Sequence, residues 1–174
     1  MSFFENLMCS SFNLIIYKCS EEYVSWLNDK EINQFLQVKH EKQSLESTKE
    51  YVRTLRPSKY NFLFGIFDKN SKKHIGNIRL TITHPIEEVA NIGILIGNKD
   101  FQNKGYAQES INKITQYGLK ELNLKRIEAG FYSVNKKGLN SFLKCGYSID
   151  GYLKSYWIHN NKRVGRILAS ILND

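Results

Sequence analysis

Apolar residues along this chain follow one period before residue 97 and a different one after residue 106. Ile92, Ile94, Leu95 and Ile96 form a nearly unbroken apolar run of strand length that is rich in β-branched residues. Such a run is typical of a central strand covered on both faces. Further on, the apolar positions recur three or four residues apart, at Ala107, Ile111, Ile114, Gly118 and Leu122. This spacing marks one face of a helix, so a buried strand leads into a helix across a short polar segment.

The residues before this junction predict short helices followed by paired strands. The pattern predicts a strand at 12–18, a helix after Ser20, a short helix at 30–36, a loop at 37–43, and a helix that follows Ser44 and ends before Pro57. Ser20 is a typical N-cap, and Glu21 and Glu22 would complement the dipole of the first turn. Two strands at 62–67 and 74–83, joined by a polar turn at 68–73, then form an antiparallel meander with the central strand.

The residues after the junction predict two more strand and helix units. The pattern predicts a strand at 125–131, a helix at 135–144, and final strands at 147–153 and 163–171. Gly146 follows the helix and is suited to a left-handed C-cap. Asn160 and Asn161 form a turn signal, so the last two strands should make a hairpin. The chain is therefore predicted to be one mixed α/β domain spanning residues 1–174.

Composition and charge narrow the class of protein. The 174 residues are enough to bury a core without disulfides or metal, and the three cysteines, Cys9, Cys19 and Cys145, suggest no zinc or redox pair. With no signal peptide and no apolar run long enough for a bilayer, we expect a cytoplasmic protein without a membrane partner. The net charge of +8 fits either a lysine-coated surface or an anionic ligand. The lysines are scattered and no RNA-binding motif is present, so nucleic acid is not expected as a partner.

The polar segment between the central strand and its helix has a chemical use. The first turn of a helix leaves about four backbone N–H groups without intrahelical partners and carries about half a positive charge, which favours phosphate. Gly105 lets a phosphate approach the backbone closely, and Lys104 adds a cation beside it. A lone glycine at such a position is also common as a simple helix cap.

Two motifs in the second half of the chain resemble one enzyme family. The segment Gln102-Asn-Lys-Gly105-Tyr-Ala107 resembles the Gln/Arg-x-x-Gly-x-Gly/Ala signature of the GNAT acyl-CoA N-acyltransferases, especially the branch of ribosomal-protein and spermidine N-acetyltransferases. Asn135, Gly146 and Tyr147 match the spacing of a second block of that family. The resemblance covers about residues 75 to 170. It implies an α/β GNAT fold with a mixed central sheet of about seven strands flanked by helices, in which strands four and five splay apart at the cofactor site.

The resemblance also implies which residues hold the co-substrate, acetyl-CoA. The loop amides of the signature would bind the pyrophosphate, and backbone groups of the fourth strand would bind the pantetheine arm and the thioester carbonyl. Transferred to this sequence, the cofactor-binding residues are Leu95, Ile96, Gly97, Gln102, Asn103, Lys104, Gly105, Tyr106, Ala107, Asn135 and Phe142. No metal is implied.

The catalytic residues are less clear because the sequence departs from the family pattern twice. Asn91 stands where many relatives carry a glutamate base, and Phe142 stands where many carry a tyrosine acid. Nearby groups that could accept the proton are His84, Glu87, Glu88 and His159. We select Glu88 as the candidate base and Tyr156 as the candidate acid, with a water chain as the alternative route for the proton.

The identity of the acceptor stays open at the level of sequence. Trp26, Phe35 and Tyr51 fall in the early helices that flank the acceptor pocket of the family, although each also fits a core position. The predicted activity is direct transfer of an acetyl group to a primary amine of a small molecule, with an amino-sugar nucleotide favoured because a basic surface repels basic acceptors. The alternatives are a polyamine acetyltransferase, a protein N-terminal acetyltransferase and a catalytically weak CoA-binding sensor. A homodimer is left open by the same resemblance.

Overall fold

One mixed β-sheet forms the centre of the molecule. The computed structural model describes residues 6–8, 12–16, 19–55 and 58–173. Within these residues the strands are β1 Asn6–Met8, β2 Phe12–Ile16, β3 Asn61–Asp68, β4 His74–His84, β5 Val89–Ile96, β6 Arg126–Tyr132, β7 Ser148–His159 and β8 Lys162–Leu172. They form an eight-stranded sheet of order β1-β2-β3-β4-β5-β6-β8-β7. The described sheet thus has one strand more than the expected count of about seven, because the chain adds a short strand at Asn6–Met8.

In the described part of the chain, four α-helices cover the two faces of this sheet. They are α1 Glu21–Asn28, α2 Leu45–Leu55, α3 Tyr106–Gln116 and α4 Lys136–Leu143, with 3-10 turns at Gln37–His40 and Lys99–Phe101 and a π-helical turn at Tyr117–Glu121. Ser20 caps α1 as predicted, since its side chain accepts a hydrogen bond from the Tyr23 N–H. Gly146 has φ of +89°, the left-handed conformation expected after α4. The predicted strand end at 17–18, Cys9 and Pro57 lie outside the described residues.

Strands β3, β4 and β5 form the predicted antiparallel meander. Arg79 of β4 lies between Leu63 of β3 and Gly93 of β5, and the β4–β5 register is unbroken from Ile96 back to Ala90. The next neighbour, β6, pairs with β5 in parallel only at residues 89–91. Beyond Asn91 the two strands separate, which confirms the splay expected between strands four and five.

The two faces of the sheet carry separate apolar cores. Helices α3 and α4 pack on the face that includes Ala90, Ile92, Ile127, Ala129 and Phe131, and this is the larger core. Helices α1 and α2 pack on the opposite face, where Trp26, Leu27, Val52 and Leu63 form a smaller core with Leu95 beside it. Side chains alternate along a strand, so Asn91, Gly93, Leu95 and Gly97 all face α1 and α2. The opening between β5 and β6 is therefore flanked by different helices on its two sides.

Two predictions about local structure are wrong, for identifiable reasons. Residues 30–36 form turns rather than a helix, and the 3-10 turn at Gln37–His40 occupies the predicted loop. The Asp29 carboxylate accepts hydrogen bonds from the Glu31 and Ile32 N–H groups and caps a single turn. The turn does not continue as an α-helix, because the Leu36 N–H donates to the Asn33 carbonyl, only three residues back. Strand β7 extends to His159 rather than ending near 153, because Asn160 and Asn161 both have positive φ and form a tight two-residue hairpin.

Candidate active site

The segment between β5 and α3 is held by its own polar side chains. The Asn98 side chain accepts a hydrogen bond from the Asp100 N–H, which starts the 3-10 turn at Lys99–Phe101. The Gln102 side-chain amide donates to the Ile96 carbonyl at 2.9 Å and closes the segment back onto the end of β5. The first signature residue, Gln102, therefore positions the loop that follows.

The loop itself has a shape suited to an anion. Asn103 has φ of +60° and Gly105 has φ of +87°, so two left-handed residues stand close together. Alternating backbone conformations of this kind turn successive N–H groups toward one point and form anion-binding concavities. Gly105 is the N-cap of α3, it makes no side-chain capping bond, and nothing lies within 4 Å of where its Cβ would be. The start of α3 is thus open on the side where a phosphate would approach.

Tyr106 fastens this loop to the neighbouring turn of the sheet. Its hydroxyl donates to Asp68 at 2.8 Å, and its ring packs edge-on against Phe101. Hydrogen bonds from the Ser71 backbone and side chain, together with the one from Tyr106, lower the pKa of Asp68 to about 2. The hydrogen bond to Asp68 in turn raises the pKa of Tyr106. Lys104 lies over the Phe101 ring with its ammonium 5.7 Å from the ring centroid.

The backbone of β5 presents one free edge to the opening. The Glu88 carbonyl accepts from the Lys125 N–H on the β6 side, whereas the Gly97 N–H donates to the Ile75 carbonyl on the β4 side. Backbone polar groups alternate between the two edges of a strand, so Ile92, Ile94 and Ile96 face the separated part of β6. Of the three predicted backbone positions, Ile96 faces the opening while Leu95 and Gly97 face β4.

Gly97 lies directly beneath the Trp26 indole. A Cβ placed on Gly97 would stand 1.9 Å from a ring carbon of Trp26, whereas a Cβ on Gly93 would have nothing within 4 Å. Trp26 is only 7% exposed and also packs against His74. The tryptophan is therefore a core residue that covers the end of β5 rather than an open pocket wall.

We expect Gly97→Ala to destabilise the fold, because the indole must move to admit the methyl group. The cost should be about 1–3 kcal/mol, the usual range for overpacking. Gly93→Ala is the matched control, since the same methyl group on the same face of β5 enters open space. Urea unfolding of both variants measures the difference. Equal stabilities for the two variants would contradict the packing of Trp26 on Gly97.

The two predicted catalytic residues lie apart from the loop and from each other. Glu88 stands in the turn before β5, three residues and about 10 Å along the chain from Asn91. Tyr156 is 47% exposed on β7, and its hydroxyl accepts a hydrogen bond from Arg166 at 3.4 Å. Among the described residues, Glu88 makes no side-chain hydrogen bond, and Tyr156 is linked to the strand beside the opening through Arg166, which lies against Gly130. Both catalytic roles stay predictions.

One carboxylate that the sequence did not single out stands next to Asn91. Glu128 of β6 is the register partner of Asn91, at the last paired position before the strands separate. Its Oε1 accepts a 2.7 Å hydrogen bond from Arg126, which also contacts Asp150. Only the register of β5 against β6 shows that Glu128 lies beside Asn91, because no local motif in the sequence connects positions 91 and 128.

The second motif block spans an amphipathic helix and the residues that follow it, and only part of the block is buried. Asn135 is the N-cap of α4, and its side-chain oxygen accepts from the Gly138 N–H. Phe142 is 3% exposed and packs edge-on against Phe131 and Tyr147. Burial raises the pKa of Tyr147, whose hydroxyl shares a hydrogen bond with Thr115. These contacts explain the conformation of α4, and a cofactor contact of Asn135 or Phe142 stays a prediction.

An aromatic cluster lies on the face of the sheet that carries α1 and α2. Phe35 contacts Tyr132 and stacks on His159, and Tyr132 stacks on Trp157 with ring centroids 4.3 Å apart. Lys39 lies over the Tyr132 ring and donates to the Ile158 carbonyl, so the chain between α1 and α2 is attached to β7. Phe35 thus belongs to an aromatic cluster, and its place in the acceptor pocket stays a prediction. Tyr132 and Trp157 were not singled out from the sequence, because they lie on strands distant along the chain from Phe35.

The described residues contain neither a membrane-spanning helix nor a cluster of metal ligands. No helix in these parts of the chain combines the length and apolarity needed to cross a bilayer. Nor do the described histidine, cysteine, aspartate and glutamate side chains come together in a group of three or more that could hold a metal ion.

Comparison with known proteins agrees with this arrangement. The acetyltransferase (GNAT) domain model matches residues 18–148. The uncharacterized N-acetyltransferase YoaA of Bacillus subtilis is 30% identical over 121 residues, which are 68% of this chain and 68% of that protein. Spermidine N-acetyltransferase from Vibrio cholerae, solved in complex with CoA and spermine, superposes with a TM-score of 0.85 at 22% identity over 94% of this chain and 96% of that one.

A second solved structure has a different acceptor in its name. Ribosomal-protein-S5-alanine acetyltransferase from Vibrio fischeri superposes with a TM-score of 0.78 at 24% identity, covering 97% of each chain. Likeness at these identities shows a common fold, and the two names show that this fold serves unlike acceptors. The family model and the Bacillus relative carry the assignment further: this chain belongs to the GNAT family of N-acetyltransferases.

Proposed function

We propose that this protein transfers an acetyl group directly from acetyl-CoA to a primary amine of a small molecule. The observation that carries the proposal is the separation of β5 from β6 after Asn91, next to the open start of α3. The opening offers backbone groups along β5, and the start of α3 offers an anion site at the end of the same strand. Acetyl-CoA fits both features, because its thioester would lie along β5 while the pyrophosphate at the other end of its pantetheine arm would lie at the start of α3.

The signature loop supports binding of the pyrophosphate. The concavity at Asn103 and Gly105 would receive the phosphate oxygens, and the first-turn amides of α3 would donate to them. Lys104 would add a screened positive charge at the surface. The hydrogen bond between Tyr106 and Asp68 would hold the loop in place without a ligand, which lowers the ordering cost of binding.

The free edge of β5 supports polarisation of the thioester carbonyl. Ile94 and Ile96 face the separated strand, and the Ile96 carbonyl is already bonded to Gln102. We assign the donor role to the N–H groups of this edge, in the region of the predicted Leu95, Ile96 and Gly97. One preorganised backbone donor is worth about 3 kcal/mol of transition-state stabilisation.

The proton of the attacking ammonium needs an acceptor near Asn91. Glu128 is the carboxylate that the register brings beside Asn91, whereas Glu88 stands three residues before it in the turn. Glu128 is therefore the better placed of the two to receive the proton, directly or through one water. Its hydrogen bond with Arg126 fixes the orientation of the carboxylate.

Neither Phe142 nor Tyr147, the two described core residues of the second motif block considered for this role, offers a ready acid to the departing thiolate. Phe142 has no ionisable group, and the Tyr147 hydroxyl is committed to Thr115 with its pKa raised by burial. A thiol has an ordinary pKa of about 8.5, so the thiolate can leave without a donor. Tyr156, with its exposed hydroxyl, is the remaining tyrosine proposed for this role.

Direct transfer is supported by the state of the described cysteines. Burial raises the pKa of the Cys19 thiol and of the Cys145 thiol, and a raised pKa disfavours the nucleophilic thiolate. Cys145 also donates to the Gln108 carbonyl. An acetyl-enzyme on either residue is therefore not part of the proposal.

The test is release of free CoA from acetyl-CoA with a panel of amines: amino-sugar nucleotides, spermidine, and peptides with a free N-terminus. We expect acetyl-CoA to raise the melting temperature, and turnover with one amine class to survive replacement of all three cysteines by serine. Trapping of an acetylated cysteine during turnover would contradict direct transfer. Binding of acetyl-CoA without turnover on any amine would indicate a CoA sensor instead, and no shift in melting temperature would contradict the whole proposal.

A further inference from the structure

We propose that the acceptor amine carries an anionic group, phosphate or carboxylate, and that Arg166 of β8 binds this group. The inference rests on the proposed function, since it names the substrate class of the same site. It excludes a polyamine as the preferred acceptor. The observations that carry it lie on the face of the sheet that bears α1 and α2.

A groove is open on that face at the centre of the sheet. Gly93 of β5 and Gly130 of β6 are exposed, although both belong to central strands. They flank the region where β5 and β6 separate, and a Cβ on Gly93 would meet no atom within 4 Å. The two glycines therefore form a floor without side chains, next to the opening that leads to the thioester.

The Arg166 guanidinium lies across the Gly130 side of this floor. A Cβ on Gly130 would stand 2.8 Å from Nε and 2.9 Å from Nη2 of Arg166. The guanidinium also lies 5.3 Å from the ring centroids of Tyr156 and Trp157, and Nη1 donates to the Tyr156 hydroxyl. Arg166 is thus fixed between a glycine and two aromatic rings, in a position that a longer residue at 130 would block.

The hydrogen-bonding capacity of Arg166 is largely unused. Its Nε is buried and has no hydrogen-bond partner within the described part of the chain. No aspartate or glutamate in that part stands within ion-pair distance of it either. A guanidinium presents a planar fork that matches the paired oxygens of a carboxylate or phosphate. Because Nε is covered by protein, an arriving anion would be bound by the terminal nitrogens, of which Nη1 donates to the Tyr156 hydroxyl and Nη2 makes no hydrogen bond within the described part of the chain.

The other charged groups around the groove are either positive, like Arg166, or negative and already paired with an arginine. Arg79 lies beside Gly93 and donates to the Tyr51 hydroxyl, and Lys39 lies over the Tyr132 ring. The acids on this face that contact Arg126 are Glu128 and Asp150, and both accept hydrogen bonds from it. Among the described residues the groove therefore presents a positive potential, which attracts an anionic acceptor and repels a polycation.

The first experiment compares amines that differ only in their anionic group. Free CoA release is measured with glucosamine 6-phosphate against glucosamine, with alanine against alaninamide, and with spermidine. We expect the anionic member of at least one pair to have the higher kcat/KM. Arg166→Gln should reduce that preference by about 10- to 100-fold, and Arg166→Lys should restore part of it. Preferred acetylation of spermidine, or an unchanged preference in Arg166→Gln, would overturn the proposal.

Arg163→Gln is the matched control. Arg163 lies on the same strand, its side chain faces the other side of the sheet, and its loss changes the net charge by the same amount. The control should therefore keep the wild-type preference. A similar loss in both variants would assign the preference to overall charge and overturn the role of Arg166.

The second experiment measures binding without turnover. The Nε–H resonance of Arg166 is followed by NMR while inorganic phosphate, and separately acetate, is added to the protein saturated with CoA. A saturable shift that persists in Arg163→Gln is expected, and the two anions distinguish phosphate from carboxylate recognition. A resonance that neither anion moves would overturn the proposal. If CoA itself fails to bind, the proposed function is wrong. The same titration on the protein without CoA then still tests whether Arg166 binds an anion.

Discussion

Placing a side chain on Gly105 should weaken CoA binding by about 100- to 1,000-fold, the loss expected when two charge-assisted hydrogen bonds are removed together. Gly105 is the N-cap of α3 and nothing stands within 4 Å of its Cβ position. A side chain there would enter the space that we assign to the pyrophosphate. The N–H groups of the loop would remain, but the phosphate could no longer reach them.

The left-handed conformation of Gly105 decides which substitutions are informative. Its φ of +87° is unfavourable for β-branched residues, so Gly105→Val adds strain of about 1–3 kcal/mol to the loop. Asparagine adopts positive φ more readily than other side chains, so Gly105→Asn keeps the loop closer to its native conformation. Loss of affinity in both variants, with near-native melting in Gly105→Asn, would separate blocking of the site from unfolding of the loop.

Calorimetric titration with CoA at two salt concentrations measures the effect. Lys104→Ala is the control, because its exposed ammonium supplies one screened charge over the Phe101 ring. Its loss should weaken binding less, and the difference should shrink as salt is raised. Wild-type affinity in a folded Gly105→Asn variant would remove the pyrophosphate from this loop.

Local sequence signals predicted the junction between β5 and α3 correctly because each signal acts within a few residues. The change of apolar period at 97–106 marks the end of one element and the start of the next. Gly105 and Gly146 both adopt the left-handed conformations that glycine accepts without steric cost. The meander of β3, β4 and β5 followed from alternation and turn residues in the same way.

Local sequence signals could not predict the contacts of Glu128 and Arg166, because these contacts depend on pairing between strands that are distant along the chain. Glu128 stands beside Asn91 only because β6 pairs with β5 in parallel after a helical crossover. Arg166 reaches Gly130 only because β8 returns between β6 and β7. The helix predicted at 30–36 ends after one turn for a local reason instead, since the Leu36 N–H donates to the Asn33 carbonyl only three residues back, and the buried Asn33 side chain donates to the Leu27 carbonyl.

Phe142→Ala should be the most destabilising single substitution proposed here, at about 3–5 kcal/mol. The ring is 3% exposed and lies edge-on between Phe131 and Tyr147, with centroids 5.0 Å away in both pairs. Its removal would leave a cavity between β6 and α4 and would also release Tyr147, whose hydroxyl bonds to Thr115. Neighbouring rings of this size cannot close such a gap without moving the strand that carries them.

Urea unfolding of Phe142→Ala, Phe142→Tyr and the control Tyr60→Ala tests this packing. Tyr60 is 36% exposed, so its loss should cost less than about 1 kcal/mol. Phe142→Tyr keeps the ring but buries a hydroxyl, which should cost about 1–3 kcal/mol unless that hydroxyl finds a partner. A tyrosine variant with native stability and a raised turnover number would show that position 142 reaches the departing thiolate. An alanine variant as stable as wild type would contradict the packing of this ring between β6 and the residues that follow α4.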